Sequence, residues 1–319
     1  MLVTGCAGFI GWKTCSLLLK NGEEVAGIDN LNTYYDPKIK DWRLSELKKF
    51  PNFPFNKMDI TEIEPLRQIF KDRNPEAVIN LAARAGVRAS VENPWDYVDT
   101  NITGTLNLLE LCREFDVKKF VLASTSSLYG TNKMPFCESD RTDNLLSPYA
   151  ATKKAAEAMC YTYHFLYGID ITIPRYFTVY GPAGRPDMSI FKFIKNIYEG
   201  KTIEVFGDGK QKRDFTYVDD IAAGTVKALK PLGYEIINLG NNNPVELMYV
   251  INLIEENLGK KAKMRFLPKH PADVSATCAD IEKAKRLLGW EPEVRIEEGI
   301  KRTIDWYSEN ESWLKNMKI

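Results

Sequence analysis

The chain has 319 residues, 44% hydrophobic and 27% charged, so it carries material for a large core and is neither a disordered tail nor a disulfide-held miniprotein. Its 43 Lys and Arg balance 43 Asp and Glu, so no general positive field points to nucleic acid or an anionic membrane, and any bound anion must be gripped locally. The six cysteines (Cys6, Cys15, Cys112, Cys137, Cys160, Cys278) form no C-x-x-C pair and the only histidines are His164 and His270, a composition that argues against a metal site. No apolar run approaches the roughly 20 residues of a membrane helix and no basic-then-apolar leader opens the chain, so reduced thiols and a cytoplasmic address are expected.

In chain order, residues 1–4 read as a strand, and T-G-C-A-G-F-I-G follows directly and opens a helix over 10–20. Glycines in such a turn permit positive φ, close approach to a pyrophosphate and tight helix–strand contact, while the helix N-terminus offers free N–H groups. Gly5, Gly8 and Gly11 are spaced G-x-x-G-x-x-G rather than G-x-G-x-x-G. A second strand over 24–28 leads into Asp29, 18 residues beyond Gly11, where a carboxylate can accept from a ribose 2′-OH and repel a 2′-phosphate. NAD is therefore expected over NADP. Asp59-Ile60 should end a third strand where an adenine would lie, and Leu81-Ala82-Ala83 should end a fourth with side chains small enough for a dinucleotide to approach.

A helix over 101–114 and a strand over 120–123 follow, then the hydroxyl run Ser124-Thr125-Ser126-Ser127, a helix over 147–167 and a strand over 171–175. Strands alternating with helices predict an α/β fold, a Rossmann-like doubly wound parallel sheet, over residues 1–180. VINLAA and FVLAS are apolar almost throughout, as suits central strands covered on both faces. Residues 181–319, richer in Gly/Pro connections, read as a smaller α+β lobe interleaved with the first domain across a soft boundary, with helices over 246–258, 281–288 and Ile296–Glu309.

Tyr149 and Lys153 lie four apart in a helical stretch and share a face. A free phenol titrates near pH ~10, but an adjacent ammonium and a nicotinamide cation both favour the phenolate, which makes a workable general base. The hydroxyl run at Ser124–Ser127 ends its strand at the carboxyl edge of the sheet, where ligands bind in such folds.

With TGCAGFIG, GIDNLN, NLAA, STSSLYG, YAATK, PRYFTVYGP, RDFTYVDD and LGWEP in order, the chain resembles the extended short-chain dehydrogenase/reductase superfamily, specifically its nucleotide-sugar epimerases and dehydratases. The resemblance implies Thr125 as the catalytic hydroxyl, Tyr149 as base and Lys153 as the residue lowering its pKa and holding the nicotinamide ribose. It also implies cofactor contacts from Phe9, Ile10, Asn30, Asn32, Asp59, Ile60 and Tyr176 beside the glycines, Asp29 and Leu81–Ala83. Dehydratases of the superfamily carry an Asp-Glu pair where this chain has Ser126 and Ser127, and decarboxylases a Glu at the second of these. Hydride removal and return, which is epimerisation, is what remains.

The segments LNTYYDPKIKDWRL, AGVRASVENP, GPAGRPDMSIFKF and GKQKRDFTYVDDI are more similar to UDP-glucuronate 4-epimerases than to the UDP-galactose type. A uronate carboxylate wants donors, and Thr125, Ser126, Ser127 and Thr178 offer hydroxyls, with Arg88 and Arg185 as nearby cations. Arg84 departs from the family pattern, where an uncharged Gln is expected. From the second lobe, Arg213 should hold the diphosphate, Asp273 the uridine ribose, and the backbone at Val205-Phe206 the uracil. Relatives pair two helices as a homodimer, here 94–114 and 147–167, with Leu108, Leu111, Met159, Tyr163 and Leu166 as the apolar positions offered; the same stripes could serve only the monomer core. A UDP-glucose/UDP-galactose 4-epimerase, an epimerase of an N-acetylated sugar and a non-catalytic dinucleotide-binding regulator stay open; the last predicts loss of the Tyr or Lys, and both are present.

Overall fold

Short, wholly buried strands set the frame: β1 (Leu2–Thr4), β2 (Ala26–Asp29), β4 (Ala77–Asn80) and β5 (Lys119–Leu122) have no exposed position, and β3 (Phe55–Lys57) closes one edge. The computed structural model describes residues 1–269 and 274–318. The chain continues through β6 (Ser124–Thr125) and β7 (Asp170–Tyr176), and β12 (Tyr234–Leu239) closes the other edge. All pairings are parallel, in the order β12-β7-β5-β4-β1-β2-β3 with β6 on β7, so every carboxyl end faces one edge. The Rossmann-like sheet is as expected; residues 234–239, from the second half of the chain, supply one of its strands.

Helices cover both faces. Leu66 and Phe70 of Ile63–Arg73, Leu108 and Leu111 of Gly104–Glu114, and Ala156 and Cys160 of Pro148–Tyr167 pack on one side. Trp12, Cys15 and Leu18 of Phe9–Lys20, with Leu44 and Leu47 of Lys38–Leu47, pack on the other. Leu108, Leu111 and Tyr163 are therefore used inside the subunit, and Met159 is partly buried; of the five positions the sequence offered for dimerisation only Leu166 is exposed. The exposed apolar side chains on these helices are instead Trp95, Val98, Tyr161, Phe165, Leu166 and Tyr167. The stretch leading into Gly104–Glu114 is a π-helical turn, Val98–Thr103, where periodicity predicts regular helix from residue 101.

Among its described residues the second lobe holds three two-stranded sheets. β8 (Thr178–Tyr180) pairs β11 (Phe215–Tyr217), β9 (Thr202–Phe206) pairs β14 (Lys263–Leu267), and β10 (Lys212–Arg213) pairs β13 (Val245–Glu246). Its own core joins Ile190, Phe193 and Ile194 to Val250, Ile254, Ile300 and Ile304.

Arg43 ties the lobes together from a fully buried position. Its guanidinium donates to Ala7 O at 3.1 Å in the glycine turn, and to Ala183 O at 2.7 Å and Gly184 O at 3.1 Å beyond β8. Arg43→Met strands three carbonyls in the interior. The expected loss is about 3 kcal/mol or more, read as a lower denaturant midpoint, with Lys at this position restoring less than half because one ammonium cannot reach all three acceptors.

Candidate active site

Gly5 takes a left-handed conformation (φ 69°) at the end of β1, and Gly8 N closes the turn on Gly5 O at 2.9 Å. Gly8 then starts the helix with no side-chain cap, so its first amides are left for a ligand. A Cβ on Gly5 would sit 2.7 Å from Ala82 N, and one on Gly11 2.0 Å from Gly5 O. Asp29 is buried beside the turn, its Oδ2 accepting from Ala7 N at 3.2 Å and its Oδ1 from Leu31 N at 2.8 Å, with Lys40 Nζ 3.7 Å away. Asn30 donates to Asp59 Oδ2 at 2.6 Å, and Asn32 N donates to Asn30 Oδ1 at 3.0 Å. Asp59 and Ile60 lie just past β3 rather than on it; Asp59 Oδ1 accepts from Thr61 N at 3.0 Å. Leu81, Ala82 and Ala83 follow β4 directly.

The helix Pro148–Tyr167 is aimed by its ends: Ser147 Oγ accepts from Ala150 N at 3.2 Å, proline stands in the first turn, and Gly168 terminates it in αL. Tyr149 and Lys153 face the cleft one turn apart. Burial raises the Tyr149 pKa, while the neighbouring Thr125 hydroxyl and the Arg185 guanidinium draw it back down. Lys153 is 2% exposed, and burial pushes its ammonium down to about 8 against the opposing effect of Cys160 and Glu157. Thr125 ends β6, its hydroxyl 3.2 Å from Ser127 Oγ and accepting from Ser127 N at 3.1 Å, with Ser126 beside it. Tyr176 ends β7, its Oη 2.7 Å from Thr225 Oγ1.

Toward the second lobe, Thr178 opens β8 and lines the cleft. Arg185 is bidentate with Asp187 (3.0 and 2.6 Å), donates to Ala85 O at 3.0 Å and lies 5.5 Å from the Tyr34 ring. Arg88 stacks at 3.8 Å on Phe206 of β9, the strand expected to meet uracil. Arg213 is on β10 and lines the cleft; Val205 is fully buried in the lobe core and does not line it. Asp273 lies outside the described residues.

Apart from Val205 and Asp273, all the candidate residues surround one cleft of about 1360 Å³. That exceeds the roughly 300–1,000 Å³ of a single small-molecule pocket and suits two ligands end to end. Sequence reading missed Tyr34, Lys40 and Tyr97, which also line or brace the cleft; Tyr97 donates to Gly86 O at 3.1 Å and its ring lies 6.1 Å from that of Tyr149. A loop tyrosine carries no periodic signal that could have singled it out. Arg84 is 3.4 Å from Asp96 Oδ2 and 5.4 Å from the Tyr34 ring, with its backbone clamped by Asn101 at 2.9 and 3.0 Å.

Residues 1–240 match the NAD dependent epimerase/dehydratase family. The chain belongs to that family. It is 62% identical over 319 residues to a protein of Thermodesulfobacterium geofontis named UDP-glucuronate 4-epimerase, covering 100% of this chain and 99% of that one. It matches UDP-glucuronic acid 4-epimerase from Bacillus cereus, solved with UDP-glucuronic acid and NAD, at TM-score 0.92 and 39% identity over 97% of this chain and 99% of that chain. It also matches UDP-glucose 4-epimerase from Thermotoga maritima, solved with UDP-glucose, at TM-score 0.90 and 34% identity over 97% and 98%.

NAD is the cofactor, and the cleft fits it: a glycine cradle that any Cβ would fill, uncapped helix amides for the pyrophosphate, and Asp29 for the ribose. Gly11→Ala should purify with much less bound NAD, as measured by mass spectrometry of the released cofactor. Where Lys153 supports a Tyr149 phenolate, its discharge as pH rises through about 8 removes that support, and kcat/KM should fall on the alkaline side. Lys153→Met should lack that limb and be slower by roughly 10²–10⁴-fold.

Proposed function

We propose that the chain is a UDP-glucuronate 4-epimerase, interconverting UDP-glucuronate and UDP-galacturonate through a 4-keto sugar. The observation that carries this reading is the sugar end of the cleft: Thr125, Ser126, Ser127, Thr178 and Arg185 line it, and no carboxylate stands among residues 124–127 to drive dehydration. The likeness to relatives of that name supports the same substrate.

NAD, when bound, supplies the hydride chemistry at C4 of the sugar. Tyr149, as phenolate, takes the C4 hydroxyl proton and later returns it; the Arg185 guanidinium favours the phenolate, and the family likeness gives the same role to Lys153, one turn along the helix. Thr125 hydrogen-bonds the oxygen at C4. The ketone is planar and retains no stereochemistry, so turning the sugar about its bond to the diphosphate exposes the other face. Arg213 holds the diphosphate while the sugar turns. A 4-keto-uronate is a β-keto acid, and Ser126, Ser127 and Thr178 hold its carboxylate in the ring plane, where C–C cleavage lacks overlap with the carbonyl.

An NMR time course with UDP-glucuronate and, separately, UDP-glucose, without added NAD, tests the assignment. UDP-galacturonate alone is the expected product; turnover of UDP-glucose with UDP-glucuronate untouched would move the chain to the galactose type. The Ser126→Ala/Ser127→Ala pair should release more decarboxylated product, and an unchanged product ratio would remove those hydroxyls from the role.

The enzyme acts as a homodimer in this reading, in a reducing cytoplasm that suits its six unpaired cysteines. Trp95 at 75% and Phe165 at 74% exposure, with Val98, Tyr161 and Leu166, put more large apolar surface on two adjoining helical segments than a monomer usually leaves wet. Ala151, Ala155 and Ala158 let a second copy of the helix approach closely. Phe165→Glu is expected to shift the mass in sedimentation equilibrium from two chains to one; a monomeric wild type would end the proposal.

A further inference from the structure

The helix that carries Tyr149 and Lys153 has a third inward-facing polar residue that the proton chemistry leaves unused. Glu157, one turn beyond Lys153, is 2% exposed. Arg175 of β7 grips its carboxylate with both arms, Nε to Oε1 at 3.0 Å and Nη2 to Oε2 at 2.8 Å. Ser124 Oγ donates to the same Oε1 at 2.6 Å. In the β6–β7 register Ser124 stands opposite Arg175, and the next pair along is Thr125 opposite Tyr176. One carboxylate thus joins the helix of Tyr149 and Lys153 to both strands that end in site residues.

Stability alone is a weak explanation for this arrangement. Desolvating two charges costs about as much as their attraction returns, and well-packed apolar residues of the same volume commonly do as well or better. Apolar residues could not, however, fix the angular relation of three elements through directed hydrogen bonds. Arg175 also lies 5.0 Å over the Tyr129 ring, and Tyr129 donates to Asn238 of β12 at 2.6 Å, so the tie extends to the sheet's outer strand.

We propose that Glu157 is a positioning residue for the epimerisation: through Ser124 and Arg175 it sets Thr125 and Tyr176 against Tyr149 and Lys153. The proposal rests on the assignment of Tyr149 and Lys153 to the proton chemistry. Around the Lys153 ammonium, Cys160 and Glu157 on its own helix act on it directly, Tyr149 lies one turn before it, Arg175 of β7 is paired with Glu157, and Cys112 of Gly104–Glu114 acts on Cys160. Arg175 is committed to Glu157. Burial pushes the ammonium down, and Cys160 and Glu157 oppose it, so removing the carboxylate should move its discharge to lower pH.

The experiment compares wild type, Glu157→Gln, Ser124→Ala and the double variant Glu157→Gln/Arg175→Met, each carrying its bound NAD. Glu157→Gln should lose roughly ten- to a hundredfold in kcat, keep KM for the UDP-sugar within about twofold, and show the alkaline limb of kcat/KM at lower pH. Ser124→Ala, which keeps the charge, should lose kcat severalfold with the limb unmoved. If Glu157→Gln does not fold, the double variant leaves no unpaired buried charge and should show the same loss in kcat, with the limb moved less because the Arg175 charge leaves together with the carboxylate. Wild-type kcat in either folded variant, a wild-type limb in Glu157→Gln, or a loss that tracks thermal midpoint alone, overturns the proposal. Tyr149→Phe, run in parallel, separates the two failures: if it keeps activity, the underlying assignment is wrong whatever Glu157 does.

Discussion

The helix Phe9–Lys20 can begin where it does because Gly11 has no side chain. Its α-carbon faces the Gly5 carbonyl so closely that a methyl group would sit 2.0 Å from the oxygen. That contact presses the helix N-terminus onto the end of β1, aims its uncapped amides into the cleft, and puts Ala7 where its N–H can meet Asp29. The adjoining parallel strands follow the same direction, so Asp29, Leu81–Ala83, Thr125 and Tyr176 arrive at one edge. An anion-binding turn at the first strand of a parallel sheet thereby determines where everything else in the reaction must be.

Buried charge then joins parts of the chain that are remote in sequence. Arg43 fastens the glycine turn to the start of the second lobe through backbone carbonyls. Asp214, beside Arg213, accepts from the amides of Asn242 at 3.1 Å and Ala279 at 2.8 Å and so anchors the strand that presents Arg213 to two loops. Arg175 and Glu157 do the same between helix and sheet. Each places a directional bond where an apolar contact would leave an element free to slide.

The chemistry is selected by small differences on this frame. In the proposed mechanism Tyr149 with Lys153 is a proton shuttle that dehydration, decarboxylation and epimerisation can all use. Serines rather than carboxylates at 126 and 127 remove the acid that the first of these needs. Arg185 contributes in an unexpected way: it is paired with Asp187, yet its field still reaches Tyr149 and favours the phenolate. A residue expected only at the substrate also conditions the base.

Much of this was legible in the residues. The glycine spacing, Asp29 and the Tyr149–Lys153 pair depend on contacts within a few turns of chain, and local physics dictates them: φ freedom at Gly5, same-face placement at four residues' separation, a serine cap and a glycine stop on the helix. The strand–helix alternation likewise determined the sheet. What the tertiary structure alone decided is whatever depends on elements distant in sequence. Leu108, Leu111 and Tyr163 could serve either a dimer or the monomer core and turn inward, since periodicity shows that a face is apolar and not what covers it. Arg43 and Glu157 carry nothing in the sequence that marks them as buried, because only the packed chain brings their partners within reach. The strand at 234–239 joins the first sheet from the second half of the chain, a pairing that rests on shape and hydrogen bonds between remote segments, and no local pattern encodes it.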